Sequence, residues 1–187
     1  PKGKKLPKKL RKESNESHSG FFVGLRVPIG PALLMALDGG ELPDDLHVTL
    51  FYLKGLTPEQ KVAATAIVSE FLPEVLPLPA RIGGVGRFSA SDTSDGKDVI
   101  YASVDSPRLT KIRGALADML GQAGIDTDVV HGYTPHITLK YVHQLDDTPF
   151  RRVIPFDIAF EEAIIDAGSL EPQVPPMAMV FGQRSFK

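Results

Sequence analysis

A four-residue phrase occurs twice in this chain, and the repetition constrains the fold more than any other feature. His47-Val48-Thr49-Leu50 and His136-Ile137-Thr138-Leu139 lie 89 residues apart, each inside an apolar run, LHVTLFYL and PHITLKYV. Runs of this kind read as β-strands, whose side chains alternate between two faces. In each copy the His and the Thr therefore share one face, while Val48 and Leu50, or Ile137 and Leu139, offer the other face to a core. Two such strands side by side would put two imidazoles and two hydroxyls around one cavity. That set suits proton transfer at a phosphate ester and needs no metal.

The segments around the two phrases repeat in kind. FFVGLRV (21–27) alternates as a strand, and PALLMAL (31–37) fits a short helix with Pro31 early and Gly39-Gly40 beyond its end. A strand over 46–53 follows. Thr57, Pro58 and Gln60 then have capping-box spacing at a helix start. Val62, Ala63, Ala66, Ile67 and Phe71 give that helix an apolar stripe, and Pro73, Pro77 and Pro79 stop it. ARIGGVGRFSAS reads as a strand kinked at its glycines, SDTSDGKD (91–98) as a turn, and DVIYASV (98–104) as a strand. Ser106-Pro107 opens a second helix, with Leu109, Ile112, Leu116, Met119 and Leu120 at helical spacing and Gly121 or Gly124 near its end. The second phrase makes a strand over 136–142, and 153–160 and 177–182 are further strand candidates.

Strand, helix and HVTL strand are thus answered by strand, helix and HITL strand. The pattern is that of an internal duplication whose pseudo-two-fold axis brings both phrases to a central cleft. The expected class is α+β, α/β-like in its alternation, with two antiparallel-rich sheets and outer helices around the cleft.

At 187 residues the chain suffices for one packed domain or two small lobes sharing a core, expected over 21–187. Residues 1–20 are basic, then rich in Ser, Glu and Asn, and read as a flexible tail; a start at Pro1 rather than Met fits a piece of a longer polypeptide. The net charge of -2 hides an asymmetry. Residues 1–12 hold seven basic residues and no acid, leaving 14 basic and 23 acidic residues in the remainder, a net of -9. So acidic a body is a poor non-specific binder of long nucleic acid, which favours a small nucleotide or the end of an RNA as substrate. The tail is suited to contact nucleic acid or an acidic partner, or to serve as a solubilising linker. No apolar run approaches the roughly 20 residues that cross a bilayer, and no signal-peptide core follows the basic residues. With no cysteine, disulfide and thiolate chemistry are excluded. A cytoplasmic setting is expected, that of a virus-encoded protein included.

The two framed His-x-Thr phrases, the preceding YTPHITL context, the early FFVGLRV and the GVGRF segment together resemble the 2H phosphoesterase superfamily, over about residues 20–182. That superfamily includes the bacterial 2′,5′ RNA ligase-like proteins and the cyclic phosphodiesterases. The resemblance implies a bilobal fold and metal-independent cleavage of a phosphodiester involving a ribose 2′ position. It leaves open 2′,3′-cyclic phosphates, ADP-ribose cyclic phosphate, 2′,5′-linked oligonucleotides and cyclic nucleotide signals.

His47 and His136 are the expected acid–base pair, since imidazole titrates near neutrality. Thr49 and Thr138 are expected to hydrogen-bond the non-bridging phosphate oxygens. Which His is base and which is acid stays open. Tyr133 and Phe88 are candidates for gripping a base, against core packing for both; Arg26 and Lys140 are candidates for phosphate binding, against solvated surface charge. No metal or cofactor is expected, because the spacings among His131, His136 and His143 match no common zinc pattern. Gly83-Gly84-x-Gly86 lacks the third glycine of a dinucleotide fingerprint, Ser89 standing in its place, and reads as a turn or bulge. Asp44-Asp45 reads as a solvated turn. The alternative to an enzyme, whether monomeric or part of a larger polypeptide, is a nucleotide-binding or structural module of a larger assembly, viral ones included, that keeps this fold without turnover. Ligation would be the reversal of 2′,5′ cleavage.

Overall fold

The computed structural model describes residues 20–127, 132–147 and 155–168. The tail before residue 20, His131, residues 153 and 154 of one expected strand, and the strand expected at 177–182 lie outside them. Among the described residues there are seven strands, β1 (Phe21–Arg26), β2 (His47–Leu53), β3 (Leu78–Phe88), β4 (Asp98–Asp105), β5 (His136–Val142), β6 (Phe156–Phe160) and β7 (Ala163–Asp166). Three helices connect them: α1 (Ile29–Met35), α2 (Pro58–Val75) and α3 (Pro107–Gln122).

The strands lie in the order β6-β3-β4-β5-β2-β1-β7, and each neighbouring pair is antiparallel. The two expected antiparallel blocks, β7-β1-β2 and β6-β3-β4-β5, are parts of one seven-stranded sheet, and β7 follows β6 in the chain yet lies beside β1 in the first block. The two blocks are joined edge to edge where β2 meets β5, at the single pair Val48↔Ile137. Both residues are fully buried, in one cluster with Ala64, Val68 and Leu72 of α2 and Leu109, Ile112 and Leu116 of α3. The helices therefore cover one face of the curled sheet, and the His and Thr side chains occupy the opposite face.

The two halves share an irregularity. Gly24 pairs with Thr49 but Val23 with Phe51, so Leu50 is an extra residue in β2. Tyr101 pairs with Thr138 but Ile100 with Lys140, so Leu139 is an extra residue in β5. A one-residue bulge reverses the alternation beyond it. Phe51 and Leu53 consequently turn into the core and Tyr52 turns out onto the His face.

Helix α2 opens as expected: Gln60 N donates to Thr57 Oγ1 at 3.2 Å and Thr57 N to Gln60 Oε1 at 3.0 Å. Its buried stripe differs from the expected one. Lys61, Ala64, Val68 and Leu72 are buried, Ala63, Ile67 and Phe71 are half-buried, and Val62 is 62% exposed. Pro73 does not stop the helix, which runs on to Val75. A proline removes one donor, and Leu76 N closes the last turn on Leu72 O at 3.1 Å. Ser106 stands at the N-cap of α3, but its hydroxyl donates to Pro79 O at 2.9 Å instead of capping.

Candidate active site

Continuing the antiparallel register from Val48↔Ile137 sets His47 opposite Thr138 and Thr49 opposite His136. The four side chains are thus related by the pseudo-two-fold axis, the imidazoles on one diagonal and the hydroxyls on the other. All four are half-buried.

Both rings are anchored in the same way. His47 Nδ1 lies 2.6 Å from Asp45 O, and His136 Nδ1 lies 2.8 Å from Thr134 O. A carbonyl oxygen can only accept, so the proton sits on Nδ1 in both rings and Nε2 is left for chemistry. Edge-on aromatic rings hold the imidazoles from the side. Phe22 stands 5.0 Å from His47, and Phe88 and Tyr101 stand 4.9 Å and 5.6 Å from His136. These rings need glycine beneath them. A Cβ on Gly24 would lie 2.7 Å from Phe22 Cζ, and one on Gly86 would lie 2.3 Å from Tyr101 Cζ.

The surroundings of the two rings differ across the axis. On β1 the partner of His47 is Arg26; on β4 the partner of His136 is Ser103. The His47 pKa is lowered, first by burial of the ring and then by the positive charges of Arg26 and His136, against raising contributions from the Asp45 carbonyl and carboxylate. The neutral imidazole is therefore favoured at His47.

Residues 38–162 match the 2′-5′ RNA ligase superfamily. The chain belongs to that superfamily. No curated protein sequence matches it. Among solved structures it is similar to TT0787 of Thermus thermophilus, with a TM-score of 0.58 at 18% identity, over 78% of this chain and 86% of that one. It is likewise similar to E. coli LigT complexed with 3′-AMP, with a TM-score of 0.53 at 17% identity, over 79% of this chain and 86% of LigT. These likenesses establish the fold. Membership of the 2′-5′ RNA ligase superfamily, the 2H phosphoesterases, supports a phosphoesterase-type enzyme.

Within this superfamily member, the expected site residues fare differently. The two His-Thr pairs come together, and Phe88 joins them, stacked on Tyr101 at 4.0 Å. Tyr133 reaches the site but is spent on structure. Its hydroxyl donates to Thr49 O at 2.9 Å, and burial raises its pKa. Arg26 stands beside His47, yet its guanidinium donates to Asp44 O and lies 3.3 Å from Glu162. Lys140 sits beyond the Leu139 bulge and donates to Asp38 O at 2.8 Å. Asp44 and Asp45 are exposed in a 3-10 turn, as expected, but the Asp45 carbonyl has the further task of orienting His47.

Several residues of the site escaped the sequence reading. Phe22, Tyr101 and Ser103 are placed by strand register alone. Tyr52 and Tyr141 follow their histidines by five residues in both copies, an odd offset that plain alternation assigns to the wrong face; the bulges return them. The Tyr141 hydroxyl, hydrogen-bonded to Thr138, has its pKa raised by burial and by Glu41. Arg113 of α3 reaches from the helix layer to a cavity of about 440 Å³ beside His136.

Proposed function

We propose that the protein is a phosphodiesterase that cleaves a ribose 2′-linked phosphodiester by two-histidine acid–base catalysis, without a metal. The observation that carries this is the matched anchoring of both imidazoles through Nδ1, which frees two Nε2 atoms beside two threonine hydroxyls. His47, held towards its neutral form by burial and Arg26, is suited to take a proton from the attacking water. His136 donates a proton to the departing ribose oxygen as the water oxygen bonds to phosphorus and the ribose bond breaks. Thr49 and Thr138 donate to the non-bridging oxygens and hold them for in-line attack. Synthesis of the bond would exchange the two histidine roles.

The test is turnover, in EDTA, of 2′,3′-cyclic nucleotides, ADP-ribose cyclic phosphate, 2′,5′-linked dinucleotides and cyclic dinucleotides. His47→Ala and His136→Ala should each lower kcat by roughly 10²–10⁴, the usual worth of one general acid or base. Activity lost in EDTA and restored by a divalent metal would sink the mechanism. Absence of turnover by folded wild-type protein would point instead to a binding module.

A further inference from the structure

Arg113 is an expensive residue to place where it lies. Its guanidinium is clamped between the Phe51 and Tyr133 rings, at 4.8 Å and 4.6 Å, and Nε donates to Leu50 O at 3.0 Å. The clamp spends one of five N–H donors, and among the described residues none pairs with the terminal nitrogens. Those nitrogens belong to a residue that lines the cavity shared by Thr49, Tyr52, Phe88, Tyr133 and His136. At about 440 Å³ the cavity falls within the roughly 300–1,000 Å³ of small-molecule sites. Its lining includes Thr49 and His136 but neither His47 nor Thr138, so it lies to one side of the pseudo-two-fold axis.

Phe51, one jaw of the clamp, has Lys140 as its counterpart in the second half, each following the bulged leucine. The duplication therefore does not reproduce this clamp. A guanidinium pre-oriented by stacking and partly screened from water is suited to a planar, two-point grip on phosphate or carboxylate oxygens.

We propose that Arg113 is the receptor for a second anionic group of the substrate, a phosphate carried on the part of the nucleotide away from the scissile diester. This rests on the phosphodiesterase reading and deepens it: the preferred substrate is a nucleotide with two phosphates, of which Arg113 binds the one that is not cleaved.

The experiment compares a 2′,3′-cyclic mononucleotide bearing a 5′-phosphate with its 5′-hydroxyl counterpart, for turnover and for binding by calorimetry. The wild type should favour the phosphorylated compound by about tenfold or more in kcat/KM and in affinity. Arg113→Gln should bring the ratio of the two compounds near one, with a larger fall for the phosphorylated compound than for the 5′-hydroxyl compound, and Arg113→Lys should keep part of the preference. A purely structural Arg113 would lower both substrates alike. A wild-type ratio near one, in turnover and in binding, overturns the inference without any variant. Binding that discriminates without turnover of either compound overturns the enzyme reading and leaves the anion site standing.

Discussion

His47 and His136 sit in near-identical phrases yet face different neighbours, Arg26 for one and Ser103 for the other. This difference has a consequence for pH. The His47 pKa is lowered by burial first and by Arg26 second, so its base form persists below the ordinary value of about 6.5. If His47 is the base, the acid limb of kcat/KM should fall below that pH, and Arg26→Gln should move the limb upward; a limb unmoved in the variant would remove Arg26 from the account. The same shift affects stability. As pH drops through the unfolded value, the unfolded chain gains a proton at His47 that the folded chain resists. The contribution of this group is thus present above about pH 6.5 and lost as pH falls towards the folded pKa.

Among the elements, β3 and β5 hold the site through contacts that a strand pattern does not display. Gly86 of β3 leaves room for the Tyr101 ring, which stands beside His136. Gly86→Ala would set a Cβ 2.3 Å from Tyr101 Cζ, and the ring must move. Activity should drop while the global fold survives, measured as kcat/KM beside thermal unfolding; unchanged activity would show that the ring has no part in orienting His136. The segment leading into β5 is tied to β2 by Tyr133 on Thr49 O. Tyr133→Phe removes that bond, a loss of about 1 kcal/mol in denaturant unfolding. Because the bond joins the two halves beside Thr49, activity should fall with it.

Across the whole molecule, charge is segregated: seven basic residues in the first twelve, and a net of -9 in the remainder. An acidic body weakens non-specific attraction to polyanions, so binding of long RNA should depend on the tail. Deleting residues 1–19 should lower RNA affinity at low salt and flatten its salt dependence, with turnover of a mononucleotide unchanged. Equal RNA affinity with and without the tail would leave it a linker. The described helices include none long and apolar enough to cross a membrane.

By itself the sequence determined strands β1 to β5, the capped helix at Thr57, the internal duplication and the identity of both His-Thr pairs, while β7 was missed. Those features depend on local periodicity and on short spacings, which a chain displays without folding. Tertiary structure decided the rest. Strand pairing made one sheet across Val48↔Ile137 and so set the diagonal of imidazoles and hydroxyls. The bulges at Leu50 and Leu139 reversed the alternation and turned Tyr52 and Tyr141 to the site. Partners 63 and 84 residues apart placed Arg113 and Tyr133 on the backbone of β2. Contacts of that range arise from packing, since the free energy that selects them is spread over the core of both halves, and no window of sequence contains it.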